Sequence, residues 1–427
     1  MSWVPVPAVE VSAWGMRVGA VAPDPRLGAY VFEYWPDWVE RGIELAPLTM
    51  PTRVRRHVFP QLPEATFHRL PALLADALPD DFGNAVIDAW LARQGVSRAA
   101  VTPLDRLAYM ADRAMGALEF RPSRGPRHRT TSAVELSALV EGARSVLDGS
   151  FADDEGAESA IRSLIQVGTS AGGARAKAVV AWDRATGEVR SGQLPAPEGF
   201  EHWLLKLDGL GADVELGQGS ATGRVEYAYS LMARAAGIEM SECRLLEEGG
   251  RAHFMTRRFD RSPEGKVHSV TLCGTAHLDY RQRQAHDYGQ LFDAVARLGG
   301  GPEAREQVFR RMIFNVLAAN NDDHTKNASF LLRSPTAPWE LSPAYDVTFA
   351  HNPTGRWTYQ HLMGVDGVFR DVARADVMRL ADRHLVPGAS DVVDEVRDAV
   401  ARWRSFADEA GVPGRVVGHV EESLPRW

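Results

Sequence analysis

The sequence predicts an α+β protein folded in two lobes, and three observations carry that expectation. Strand-like stretches dominate the first part of the chain, a helix followed by strand-rich sequence fills the middle, and the chain after about residue 285 reads as mostly helical. A β-rich unit followed by a helical one in a single chain is the order a two-lobed α+β fold requires. A length of 427 residues is enough for two to four structural units at roughly 100–200 residues each. Hydrophobic residues at 45% and charged residues at 24% are sufficient for a full core and exclude general disorder.

The elements divide into three expected domains: an N-terminal module over 1–122, an N-lobe over 130–260 and a C-lobe over 261–427. In the first, residues 9–21 and 30–34 alternate as strands do, and 70–78 is an apolar helix-like run. The tract LPDDFGN (78–84) reads as a turn capping a helix over 85–94. Residues 121–129 (RPSRGPRHR) carry the Pro, Gly and Arg content of an exposed linker. In the second, 132–147 has helical periodicity, and KAVVAW (177–182), 189–192 and HWLLKL (202–207) are rich in strand formers. A helix over 225–236 ends at Gly237, and strands over 243–247 and 253–259 flank the Gly249-Gly250 turn. In the third, helices are expected over 288–298, 305–318, 373–383 and, as one long amphipathic run, 390–410.

Charge and cysteine usage narrow the function classes. The formal net charge of −8 argues against a surface built throughout for nucleic acid. Two cysteines, Cys243 and Cys273, form neither a disulfide framework nor a zinc-ligand pattern. No apolar run approaches the ~18 residues that cross a bilayer, and the N-terminus lacks the charged and apolar regions of a signal peptide. A reducing cytoplasm is the expected compartment. Only four of the 48 basic residues are lysines: Lys177, Lys206, Lys266 and Lys326. An ammonium is a compact point charge and a guanidinium a wide planar fork, so a lysine kept in an arginine-rich chain marks a site needing one charge in a tight space. Lys266, in a turn, reads as surface.

The strongest constellation is NNDDHTKN (320–327), a polar loop between an amphipathic helix and a strand-like stretch. Asp322 and Asn327 are five apart, the separation of base and metal-binding amide in the D-x-x-x-x-N catalytic loop of protein kinases. The Asp accepts the proton of the incoming hydroxyl, and the Asn oxygen holds Mg²⁺, a hard cation that prefers oxygen ligands. Alone, such a spacing better describes a polar turn whose Asx residues cap the backbone; the surrounding segments favour the catalytic loop. Asp346, nineteen residues beyond Asn327 and after an expected hairpin, is placed as the second metal carboxylate would be. Upstream, GTSAGGARAK (168–177) can bring backbone N–H groups against phosphates through Ser170, Gly172 and Gly173, although it matches neither common glycine fingerprint. Lys206 is a charge in an apolar strand, the position from which a kinase lysine reaches ATP phosphates. Glu226 is a candidate partner for it.

Together, TSAGGARAKAVV, HWLLKLDG, HFMTRRFDR, FRRMIFNVLAANNDDHTKNASFLL and WELSPAYDV resemble HipA-family kinases in order and spacing, and LADALPDDFGN resembles their N-terminal module. The resemblance covers residues from about 10 to 350. It implies a two-lobed protein-kinase-like fold with a small β-rich N-terminal module and a mainly helical C-terminal lobe. It implies an ATP- and Mg²⁺-dependent serine/threonine protein kinase serving as the toxin of a toxin–antitoxin pair. Asp322 would then be the catalytic base, with Asn327 and Asp346 on Mg²⁺. Lys206 would contact ATP phosphates, with His324 and Lys326 close to the nucleotide and Phe259 and Asp260 at the hinge that holds adenine and ribose. Ser170 matches the loop serine whose autophosphorylation silences such kinases. Arg257 departs from the Glu that some members carry before Arg-Phe-Asp-Arg. The family's partner is a HipB-like helix-turn-helix antitoxin, through which alone DNA would be met, and its protein substrates include aminoacyl-tRNA synthetases. Two other readings compete: a non-toxic HipA-like regulator that binds nucleotide and a DNA-binding partner without phosphotransfer, and a small-molecule or lipid kinase.

Overall fold

The computed structural model describes residues 3–125, 135–148, 164, 176–194, 196–208, 210, 216 and 221–425. The chain is a mixture of sheets and helices in two compact units. The first comprises 1–210, 247–270 and 333–336; the second comprises 211–246, 271–332 and 337–427. The N-terminal module and the strand bearing Lys206 therefore share one unit. Among the described residues no helix is long and apolar enough to cross a membrane, and Cys243 and Cys273 are buried free thiols.

The first unit opens with a five-stranded sheet in the order β4-β3-β2-β1-β5, where β1 is Val9–Ala13, β2 Met16–Asp24, β3 Ala29–Tyr34, β4 Arg56–His57 and β5 Leu118–Arg121. The predicted strand over 9–21 is a hairpin. Trp14 and Gly15 both take positive φ, 50° and 73°, the two-residue turn whose twist suits flanking strands. Gly19 is required by packing, because a Cβ there would lie 2.4 Å from the Glu33 carbonyl oxygen. Asp80 caps the helix Asp81–Ala92 by accepting the Gly83 N–H at 2.7 Å, so the expected cap stands and the helix starts four residues before 85. A second antiparallel sheet follows, with β6 (Lys177–Asp183), β7 (Val189–Ser191), β8 (Phe200–Lys206) and, after β9 (Cys243–Glu248), β10 (Arg251–Arg257). Within this unit the order is β7-β6-β8-β10. Strand β6 is buried at all but its last residue, as its near-continuous apolar run requires.

The second unit is mainly helical. The helix Tyr288–Arg297 is closed at its start by a capping box between Asp287 and Gln290, and Pro302–Leu317 starts on a proline that fits a first helical turn. The long helix expected over 390–410 is two helices, Ala389–Val400 and Trp403–Glu409. The break lets Trp403 turn inward, where it is fully buried, donates its indole N–H to the Val417 carbonyl at 3.1 Å and meets the Tyr229 ring at 5.3 Å. Amphipathic periodicity continues across such a break and does not reveal it. Ser329–Leu332 and Trp339–Leu341 pair antiparallel, as the expected hairpin requires.

Candidate functional site

In the first unit Lys206 ends β8 and is buried. Its opposite neighbour on β6 is Lys177, also buried, and its opposite neighbour on β10 is Phe254. Directly opposed residues share a face of the sheet, so two of the four lysines lie side by side, with the Lys206 ammonium 5.6 Å from the Phe254 ring centre. Like charges directly opposite destabilise a sheet, and an anion on that face offsets the cost. Ser170, Gly172 and Gly173 lie outside the described residues. Glu226 is buried in the helix Thr222–Ala235 of the second unit.

The segment 257–261 carries the expected hinge residues, and one of them does different work. Asp260 is fully buried. Its Oδ1 accepts from Arg258 Nε at 2.8 Å, and its Oδ2 from Arg258 Nη2 at 2.7 Å, Arg261 Nη1 at 2.8 Å and the Gly116 N–H at 2.8 Å. Burial acts to raise its pKa, but the two guanidiniums and the Gly116 N–H outweigh burial and hold the carboxyl well below the usual range. Both oxygens accept from protein donors, which makes Asp260 an internal anchor. Phe259 beside it is half-buried. Arg257 pairs with Glu201 at 3.6 Å.

This anchor ties the N-terminal module to the second sheet of the same unit. Gly116 holds φ +77°, and a Cβ there would meet the Ser269 backbone at 2.9 Å. Arg261 donates to the Ala114 and Gly116 carbonyls; burial first, then the Arg258 charge, brings its pKa down to about 10. Lys266, expected to be surface, donates to the Asp112 carbonyl at 2.7 Å and to Glu119 at 2.8 Å, and its own carbonyl accepts the Trp14 indole N–H. His268 contacts the Leu45 carbonyl at 2.9 Å, and complete burial brings its pKa down to about 4.

In the second unit the loop 320–327 alternates. Asn321, Asp323 and Thr325 are buried; Asp322 is exposed, and His324, Lys326 and Asn327 are partly exposed. The buried members fix the loop. Asp323 accepts from Tyr288 Oη at 2.9 Å and the Leu362 N–H at 2.8 Å, and lies 3.0 Å from His361 Nδ1. Asn321 Nδ2 donates to the Thr358 carbonyl, and Thr325 Oγ1 to the Leu278 carbonyl. Sequence alone singled out Asp322 by its spacing to Asn327; burial now distinguishes the two adjacent aspartates on physical grounds. Asn327 Nδ2 donates to the Asp322 carbonyl at 2.7 Å, which closes the loop and turns the amide oxygen the other way. The contacts that anchor the loop were missed in the sequence, because their partners Tyr288, Leu362, Thr358 and Leu278 lie 35 to 47 residues away along the chain.

Asp346 sits at φ 56°, a left-handed conformation that Asp adopts more readily than most residues and that concentrates at functional sites. Its segment is tied to the loop through the Asn321 N–H to the Ala350 carbonyl at 3.0 Å and the Ala350 N–H to the Ala319 carbonyl at 3.1 Å. Tyr345 Oη donates to the Lys326 carbonyl at 2.6 Å. The Tyr280 ring meets the His324 ring at 5.3 Å and the Lys326 ammonium at 4.8 Å, while His324 Nδ1 is buried with no hydrogen-bond partner. Among the described residues no group of three or more His, Cys, Asp or Glu side chains is arranged to hold a metal. The expected donors are one amide and one carboxylate, hard oxygens that suit Mg²⁺ completed by water and phosphate.

Residues 169–404 match the family model described as HipA-like C-terminal domain, and residues 9–121 match the HipA N-terminal domain. A curated relative from Sinorhizobium fredii (strain NBRC 101917 / NGR234), named "Putative kinase Y4dM", is 25% identical over 242 residues, 52% of this chain; the chain spans about half of that relative's length, 55%. The solved HipA of a Shewanella oneidensis MR-1 toxin–antitoxin complex with HipB and operator DNA shares the fold at a TM-score of 0.66 and 17% identity. That match covers 97% of this chain and 94% of that one.

Proposed function

The chain belongs to the HipA family, and from that premise we propose that it is an ATP- and Mg²⁺-dependent serine/threonine protein kinase, the toxin of a HipA/HipB-like toxin–antitoxin system. The observation that carries the reading is the loop 320–327, where a buried, hydrogen-bonded Asp323 supports an exposed Asp322 whose carbonyl is held by Asn327. Asp322 takes the proton from the attacking serine or threonine hydroxyl, a role that contributes about 10²–10⁴-fold. Asn327 and Asp346 hold Mg²⁺, which supplies charge neutralisation on the phosphates when bound. Lys206, with Lys177 beside it, carries positive charge to the same phosphates, and His324 and Lys326 flank the nucleotide. The backbone at Phe259 and Asp260 receives adenine.

The proposed division of labour follows the segments 1–122, 130–260 and 261–427. Ser170 is the proposed autophosphorylation site: a phosphate adds about −1.5 to −2 charge to a glycine-rich loop that must close on ATP, and phosphorylated protein that remains active would contradict it. The proposed setting is cytoplasmic, with a HipB-like antitoxin and a protein substrate such as an aminoacyl-tRNA synthetase, and with DNA met only through the antitoxin. Growth arrest on expression, abolished by Asp322→Ala and by Asp346→Ala, is the expected result. Arrest that persists in both variants overturns the kinase toxin, and absence of label transfer from γ-labelled ATP to any protein favours the non-toxic regulator.

A further inference from the structure

Beside the catalytic loop the second unit carries an exposed group of cations held against aromatic rings. The guanidiniums of Arg283 and Arg356 lie 5.5 and 5.6 Å from the centre of the Trp357 ring, and Arg283 Nη1 donates to the Arg356 carbonyl at 2.8 Å. Arg281 and Lys326 lie 5.2 and 4.8 Å from the Tyr280 ring. Arg281, Arg283, Arg356 and Trp357 are all exposed. Both segments are fastened to the loop bearing Asp322: Thr325 Oγ1 to the Leu278 carbonyl at 2.7 Å, and Asn321 Nδ2 to the Thr358 carbonyl at 2.9 Å. Gln284 Nε2 joins the two segments by donating to Gln360 Oε1 at 3.0 Å.

The charge of this patch runs against the rest of the molecule. The chain carries a net −8, and several exposed arginines elsewhere are matched with carboxylates, as Arg17 is with Glu10 and Arg379 with Asp366. Among the described residues neither Arg283 nor Arg356 takes part in an ion pair; their contacts are the Trp357 ring and one carbonyl. A guanidinium held over a ring by its charge keeps N–H groups available, and that fork matches a carboxylate in two hydrogen bonds. Stacking of a nucleic-acid base on Trp357 would have to displace these cations, which favours carboxylates over bases as the occupant.

Resting on the kinase reading, we propose that Arg283 and Arg356 dock an acidic segment of the protein substrate next to the hydroxyl that Asp322 deprotonates. The site therefore selects serines or threonines with Asp or Glu nearby in the folded or extended substrate.

The test uses the full chain and fluorescence anisotropy with three probes: a serine peptide flanked by glutamates, its glutamine counterpart, and a single-stranded RNA oligonucleotide. The glutamate peptide is expected to bind about fivefold to tenfold more tightly than the glutamine peptide, the size of two exposed ion pairs. That gap should shrink at high salt and vanish in the Arg283→Gln/Arg356→Gln variant, whose fold is checked by its melting temperature. Equal binding of the two peptides by the wild-type chain overturns the proposal, as do no binding and a gap that survives the double substitution. RNA binding tighter than the glutamate peptide and lost in the double variant overturns it in favour of a nucleic-acid surface. Transfer from γ-labelled ATP to the same peptides separates the two layers. Transfer without discrimination defeats the docking surface alone, whereas discrimination in binding without transfer to any protein defeats the kinase reading.

Discussion

In the segment 257–261 of the first unit the charges of Arg258, Asp260 and Arg261 turn inward and pair on one carboxylate, whereas in the loop 320–327 of the second unit polar side chains alternate between inward and outward. Both are polar runs between apolar elements. The first spends its side chains on holding the N-terminal module and leaves only backbone for a ligand. The second buries Asn321, Asp323 and Thr325 against the scaffold and leaves Asp322 exposed. A charge at a site is thus functional or structural according to how many protein donors it already satisfies.

The sharpest way to break this comparison is the adjacent pair Asp322 and Asp323. Asp322→Asn is expected to lower phosphotransfer about 10³-fold with an unchanged melting temperature. Asp323→Asn, which points an amide N–H₂ at existing donors, is expected to destabilise the fold by about 2–3 kcal/mol as well. Label transfer and urea unfolding of both variants check the contrast, and equal stability of the two would erase it. Asp260→Asn should cost about 3–5 kcal/mol, because it leaves the Arg258 and Arg261 charges buried without their counter-charge. Chemical denaturation measures this; a cost under about 1 kcal/mol would mean that the network is not an anchor.

Acid tests the same wall of the first unit. His268 stays neutral in the fold down to about pH 4, whereas an unfolded histidine takes up a proton at about pH 6.5. Between those values the unfolded chain binds more protons, so stability falls as pH drops from about 6.5 to 4, by up to about 3 kcal/mol from this residue. Urea unfolding of the wild-type chain and of His268→Gln across that range should show a shallower slope in the variant. The smallest effect is expected of Lys266→Met, which keeps the stem and removes the ammonium from Asp112 and Glu119, at about 1 kcal/mol; a thermal melt reads it.

Much of the site was legible along the chain because its logic is local. Asp322 and Asn327 lie on one loop at a fixed spacing, and Asp346 follows a short hairpin. The capping Asp80 and the turn at Gly249-Gly250, with φ of 57° and 80°, are likewise dictated by neighbouring residues. The lysine count pointed to Lys177, Lys206 and Lys326 and passed over Lys266, whose partners Asp112 and Glu119 are more than a hundred residues away.

Element type, the polar loop and the spacing of Asp322, Asn327 and Asp346 follow from the sequence alone, because periodicity, turn propensity and short spacings act between neighbours in the chain. Which aspartate anchors and which one faces out was decided only by tertiary structure. The donors that fill Asp260 and Asp323, from Gly116 at one end of the chain to Leu362 near the other, converge only once the chain has folded, and burial makes each unmet bond costly.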